Sequence, residues 1–136
     1  MSDPVPSPEH RALAAAFAER SVDALRTARH DLPVSPVAAV NRSYYAAFYA
    51  ASAVFALEGR TFTRHTAVRS ALHKDLVSPG RIQQAIGEAF DGLFDSRGDG
   101  DYDALARVTA ADASIAIEQS EKVTAVLLAL FESSRK

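Results

Sequence analysis

The sequence predicts an all-α fold, an antiparallel up-and-down bundle of four to five helices. Three observations predict it. Apolar residues recur at steps of three and four in three long segments, the spacing of one helix face. Serine or threonine stands where helices should begin, twice followed directly by proline. No segment sustains strand-like alternation, and no Asn-Gly or Asp-Gly step separates two strand-like runs. Short connections between such helices favour antiparallel neighbours.

The elements follow in order. Residues 1–7, rich in proline, form an irregular lead, and Pro8 opens helix one, expected over roughly 8–31. Ala14, Phe17, Ser21, Leu25, Ala28 and Leu32 make its inward stripe. Arg26, Arg29 and His30 complement the dipole near its end, and Pro33 stops it. Ser35 and Pro36 start helix two, which runs about 24 residues to Gly59, ~36 Å long. Its apolar stripe is Val37, Val40, Tyr44, Phe48, Ala51 and Phe55, and its many alanines let neighbouring backbones come close. Thr63 is positioned to cap a third helix through Val77; after a turn at Ser78, Pro79 and Gly80 the chain is helical again from Arg81 to Phe94. Asp95 to Asp101 carries two glycines and no apolar residue, and reads as a loop or frayed junction. Thr109 with Asp112 resembles a capping box for a last helix reaching Ser133, with Ala116, Ser120, Val123, Leu127 and Leu130 inward.

The 136 residues suit one domain over 1–136, with 48% hydrophobic and 24% charged residues, an ordinary globular balance. Without cysteine, disulfides and thiolate metal sites are excluded. The opening MSDPVPSPEH has neither a basic nor an apolar leader region, and no apolar run approaches the ~20 residues of a membrane span, so a cytoplasmic protein with no membrane association is expected. Net charge is −2, which makes no global case for nucleic-acid binding. The distribution is uneven: Arg60, Arg64, Arg69, Lys74 and Arg81 face one acid, Asp75, so residues 60–81 carry +4 and the rest −6.

Two rows of polar side chains are candidates for chemistry. On helix two, Asn41, Tyr45, Tyr49 and Ser52 share a face, with Arg42 at its edge. Tyrosines that pack their rings and let hydroxyls reach water explain the row; a functional cleft is the other reading. On helix three, His65, Arg69 and His73 recur every fourth residue. Their histidines stand ~12 Å apart, too far to share a metal. The row reads as the solvated face of a surface helix, or as one facing phosphates. Asp99, Asp101 and Asp103 have calcium-loop spacing, but Ala104 and Ala110 occupy the places of the required glycine and glutamate. Arg97, Gly98 and Asp99 spell an adhesion tripeptide too short to inform. Nucleotide-binding, hydrolase and zinc-protease signatures are missing, which leaves metal-free chemistry on phosphates as the enzymatic option, with no cofactor expected.

The run NRSYYAAFYAASAVFALEGR, the segment Thr63 to Val68, and Arg97 followed by Asp101 and Tyr102 resemble the HEPN domain (higher eukaryotes and prokaryotes nucleotide-binding). More closely, the chain is similar to the small stand-alone prokaryotic branch with Asn-Arg-x-Tyr-Tyr-Ala and Arg-x3-Asp-Tyr motifs. The resemblance implies a helical bundle that dimerises and is often encoded beside a minimal nucleotidyltransferase as a toxin-antitoxin pair. It also implies metal-independent endoribonuclease activity from Arg-x4-6-His motifs of two subunits. Carried onto this chain, the arginine is Arg97, Asp101 stands at the histidine's place, and Tyr102 follows. Gly98 departs from the polar residue that usually succeeds the arginine.

Arg97, Asp101, Tyr102 and His65 are therefore the catalytic candidates, and Asn41, Arg42, Tyr45, Tyr49, Arg64, Arg69 and His73 the binding candidates. Such cleavage needs a base for the 2′-hydroxyl, an acid for the 5′-oxygen and a cation for the transition state. Two functional expectations follow. One is a dimeric RNA-cleaving toxin; the other is a non-catalytic module that binds nucleotide or pairs with a nucleotidyltransferase, with Tyr102 as an acceptor. A plain helical dimer, whose polar stripe only specifies its interface, is a duller reading besides these two.

Overall fold

The first helix begins where a hydroxyl can replace a missing helix acceptor: Ser7 Oγ accepts the His10 N–H at 3.1 Å, and Pro8 takes the first position. The computed structural model describes residues 6–102 and 107–135, the side chains of 98–102 excepted. In it α1 spans Pro8–Asp31. Ser35 caps α2, Pro36–Leu57, by accepting the Ala38 N–H at 3.2 Å. Gly59 ends it in the left-handed region, φ 75°, which glycine enters at no steric cost. The short α3, His65–Ala71, continues as a π-helical segment, Leu72–Val77. Then come α4, Gln84–Tyr102, and α5, Ala110–Ser134. The Thr109 cap of α5 is reciprocal with Asp112, as its spacing predicts. No strand occurs among the described residues, and the fold is an all-α bundle.

Helix α2 lies at the centre and touches α1, α3, α4 and α5. Its length is dictated by caps, but its position is dictated by size: Ala39, Ala46, Ala47, Ala50 and Ala53 are all fully buried, so neighbouring backbones approach closely. Two buried serines show how close. Ser21 of α1 donates to the Ala46 carbonyl at 2.7 Å, and Ser120 of α5 donates to the Ser43 carbonyl at 2.8 Å. Each hydroxyl thereby enters the core with a partner and avoids the cost of a lone buried polar group. Around these contacts Phe55, Leu72, Leu76, Phe90, Leu127 and Phe131 fill the core. No described helix is long and apolar enough to cross a membrane.

Five expectations about elements need correction. Val37 does not join the inward stripe but is 44% exposed, while Ala39 and Val40 of the same end of α2 are buried, so the helix turns a face centred on these two inward. Thr63 does not cap α3; Arg64 occupies that position without a side-chain cap bond. The helix expected through Val77 widens to π form from Leu72, where the turns serve two sides at once: Leu72 and Leu76 enter the core while His73 reaches α4. Helix α4 starts at Gln84 and not at Arg81, whose N–H instead bonds the Leu76 carbonyl at 2.8 Å in the intervening turn. Finally, 95–101 is not a loop: α4 continues through it to Tyr102. Each glycine costs the helix about 1 kcal/mol. Stacking of Arg97 on Phe94 and Tyr44 anchors this turn against that cost.

Candidate functional site

The site forms where α2, the start of α3 and the second half of α4 meet. Tyr44, Tyr45 and Phe48 are one turn of α2, and together they wall a slot for the first residue of α3, His65. The imidazole stacks on Phe48 with centroids 4.4 Å apart and planes 13° from parallel. Tyr44 lies 5.7 Å away in a near-parallel orientation, and Tyr45 meets the ring edge-on at 5.7 Å. His65 Nδ1 is 2.7 Å from the Tyr44 hydroxyl and 3.4 Å from Arg97 Nη1. A guanidinium only donates, so Nδ1 accepts, the ring proton sits on Nε2, and Tyr44 is the donor of the shorter bond.

Arg97 reaches this point by lying against two rings, 5.0 Å from the Tyr44 centroid and 4.8 Å from that of Phe94. Its Nε is buried without a hydrogen-bond partner among the described residues. Phe94 carries a second guanidinium: Arg69 lies 4.9 Å from the same ring. Asp91 holds Arg69 in that place, accepting from its Nε at 3.0 Å, and holds His73 through Nε2 at 2.9 Å. The histidine ring can approach because Gly87 stands one turn before Asp91; a Cβ there would meet His73 Cε1 at 2.9 Å and Val77 Cγ2 at 2.8 Å.

The environment sets the protonation states. Burial, and secondarily the positive charge of Arg97, pushes His65 below its ordinary 6.5, so the ring is neutral near pH 7. Burial raises the Tyr44 phenol well above its usual range, opposed by Arg97 and assisted by Tyr45, so it keeps its proton. Because the folded state disfavours the imidazolium, the unfolded chain takes up the proton first, so stability falls as pH drops below 6.5 and goes on falling until the ring in the folded chain is protonated too.

Of the residues singled out from sequence, the fold brings Arg97, His65 and Tyr45 together. Arg69 and His73 do not form a solvated or phosphate-facing row; both turn toward α4, where Asp91 offers the counter-charge. Arg60 pairs with Asp75 at 2.7 Å and Arg81 with Glu58 at 3.1 Å, so much of the charge concentrated in 60–81 is neutralised in place. Arg64 is exposed at the start of α3. Arg42 and Tyr49 lie at the rim and Asn41 is half-buried one turn before Tyr45, while Ser52 turns inward and donates to the Phe48 carbonyl at 2.8 Å. Asp101 and Tyr102 belong to the last turn of α4, with side chains outside the described residues, as is Asp103. Among the described residues no three His, Asp or Glu side chains are grouped as metal ligands.

Tyr44 was the residue that sequence pattern assigned to packing alone. It is fully buried as expected, but it also holds His65. The signal was its place on the apolar stripe of α2: a tyrosine there is buried, and a buried phenol requires a partner. Asp91 and Phe94 carried no such signal.

Comparison with known proteins identifies the family. The family model described as HEPN domain matches residues 14–130. A protein of Thermotoga maritima named "UPF0332 protein" is 37% identical over 67 residues, which cover 49% of this chain and 51% of that protein. The chain thus spans about half the length of the curated relative it matches. Since the family model covers nearly all of α1 through α5, the chain belongs to the HEPN domain family.

Proposed function

We infer that the chain is the RNA-cleaving toxin of a toxin-antitoxin pair, a metal-independent endoribonuclease acting as a homodimer. The observation that carries this reading is the 3.4 Å approach of Arg97 Nη1 to His65 Nδ1. It couples a cation suited to phosphate with a neutral imidazole suited to accepting a proton, 32 residues apart in sequence. His65 thereby supplies what the Arg-x4-6-His spacing lacks at Asp101.

The chemistry balances as follows. A substrate phosphate draws the Arg97 guanidinium to its non-bridging oxygens, and Nδ1 of His65 loses one donor. The ring then gives up its Nε2 proton to solvent and takes one from solvent on Nδ1; Tyr44, whose hydroxyl can accept as well as donate, receives Nδ1–H, and the unprotonated Nε2 becomes the base. The 2′-hydroxyl gives its proton to Nε2, its oxygen attacks phosphorus, and the bond to the 5′-oxygen breaks. That oxygen leaves with a proton from water, and the hydroxide so formed takes the proton from Nε2, which restores the base. The products are a 2′,3′-cyclic phosphate and a 5′-hydroxyl end. Incubating the protein with RNA in EDTA and identifying those ends by mass spectrometry tests the reading. A protein inert on every RNA returns the chain to a non-catalytic module paired with a nucleotidyltransferase, with Tyr102 as acceptor.

The pH profile is a separate prediction. With His65 held below 6.5 by burial and by Arg97, the acid limb of kcat/KM is expected below pH 6.5, and the rate should be flat across neutrality. A limb at or above 6.5 would assign the proton transfer to another group. The homodimer is supported by the family and by exposed Ile115 in the lining of a groove of about 420 Å³ that also includes Val40, Leu93, Val108 and Ala116. Light scattering at micromolar concentration should give the mass of two chains; the mass of one would remove the dimer from the reading.

A further inference from the structure

Beside the Arg97 and His65 pair, α1 and α2 carry an unbroken strip of rings. Phe17 of α1 stacks on Tyr49 of α2 with centroids 6.1 Å apart and planes 20° from parallel. Tyr49 meets Tyr45 at 5.8 Å, and Tyr45 meets His65 at 5.7 Å. Phe17, Tyr45 and Tyr49 are each only half-buried, so part of every ring stays open to solvent. Guanidinium groups flank the strip at both ends: Arg20 lies 5.9 Å from the Phe17 centroid and Arg42 lies 5.6 Å from that of Tyr45. Both arginines are exposed, and among the described residues no carboxylate pairs with either, in contrast to Arg60, Arg69 and Arg81.

Packing by itself would be served as well by leucine at these places, and it gives no reason for unneutralised cations at both ends. Open rings flanked by arginine match the chemistry of an unpaired nucleic-acid strand, whose bases stack on aromatic faces while its phosphates meet the cations. We propose that Phe17, Tyr45 and Tyr49, with Arg20 and Arg42, form a stacking platform for single-stranded nucleic acid that leads the strand to Arg97 and His65. The platform rests on the RNA-directed reading above and specifies its substrate class: an unpaired strand held by stacking and charge, not by base-edge hydrogen bonds. A second copy of the chain fits the strip less well. An isologous contact presents the same patch from both sides and would bring the four arginines of two copies together.

Fluorescence anisotropy with a labelled oligodeoxynucleotide tests this, because a strand without 2′-hydroxyls binds but cannot be cleaved by the proposed chemistry. The single strand is expected to bind more tightly than its duplex. Tyr49→Leu should weaken the single-strand Kd about tenfold. Arg42→Gln should reduce the slope of log Kd against log salt by about one. Circular dichroism checks that each variant keeps its helices. The platform is overturned if the wild type binds no strand, or if both variants bind as it does. It is also overturned if the substitutions change the oligomeric mass and not strand affinity, which would make the strip a seam between copies. RNA cleavage with strand binding indifferent to both substitutions would overturn the platform and spare the nuclease. Binding weakened by both, in a protein that cleaves no RNA, would support the platform and overturn the nuclease.

Discussion

Arg97→Ala is expected to lower EDTA-resistant RNA cleavage by about two to three orders of magnitude, the usual loss when one preorganised donor to a developing negative charge is removed. His65→Ala should cost a similar or larger factor, about 10²–10⁴, as a general base. The two should not multiply. If Arg97 and His65 act as one unit across their 3.4 Å contact, the double variant is expected to be scarcely slower than the worse single one. Arg97→Lys should fail to restore activity, since an ammonium offers neither the flat face that lies on Tyr44 and Phe94 nor the forked donors that engage a phosphate. Stability separates a chemical role from a structural one: the two ring contacts of Arg97 are worth about 0.5–2 kcal/mol each, so Arg97→Ala should remain folded. Wild-type cleavage by folded Arg97→Ala would sink the assignment.

Phe90→Ala should produce the largest stability loss, about 3–5 kcal/mol, lowering Tm by roughly 10–15 °C. Phe90 is fully buried where α4 faces α2, and its ring is 6.1 Å from that of Tyr44. Truncation leaves a cavity beneath the residue that holds His65, so the loss reaches the site as well. Cleavage by the protein that stays folded should fall, and Phe90→Leu, which keeps most of the volume, should recover most of both. Thermal denaturation followed by circular dichroism checks the first effect, and a shift of only a few degrees would mean that this part of α4 is not packed as described.

The local features of the chain were legible because their causes are local. Ser35 before Pro36, Thr109 before Asp112, and Gly59 after Leu57 each act within a few residues of themselves, and the structure has caps and stops at all three. The inward stripe of α1 was legible for the same reason, since a period of 3.6 residues is a property of one helix. Local rules failed where distant side chains intervene. Residues 95–101 read as a loop by composition, but Arg97 finds two rings whose contacts offset part of what the glycines cost the helix. His65, Arg69 and His73 read as a solvated row, because nothing in their own segment shows that Asp91 and Phe94 will face them.

By itself the sequence determined that this protein is an all-α bundle, where α1, α2 and α5 begin, and which family it resembles. Only the tertiary structure decided that Tyr44 holds a histidine 21 residues away, that Arg97 meets the same histidine from 32 residues away, and that His73 turns to an aspartate 18 residues on. Helical periodicity assigns a residue to a face, but which side chains meet across faces is set by how closely helices approach. Here that approach is governed by alanines on α2, by Gly87 on α4 and by the π-helical turns before it.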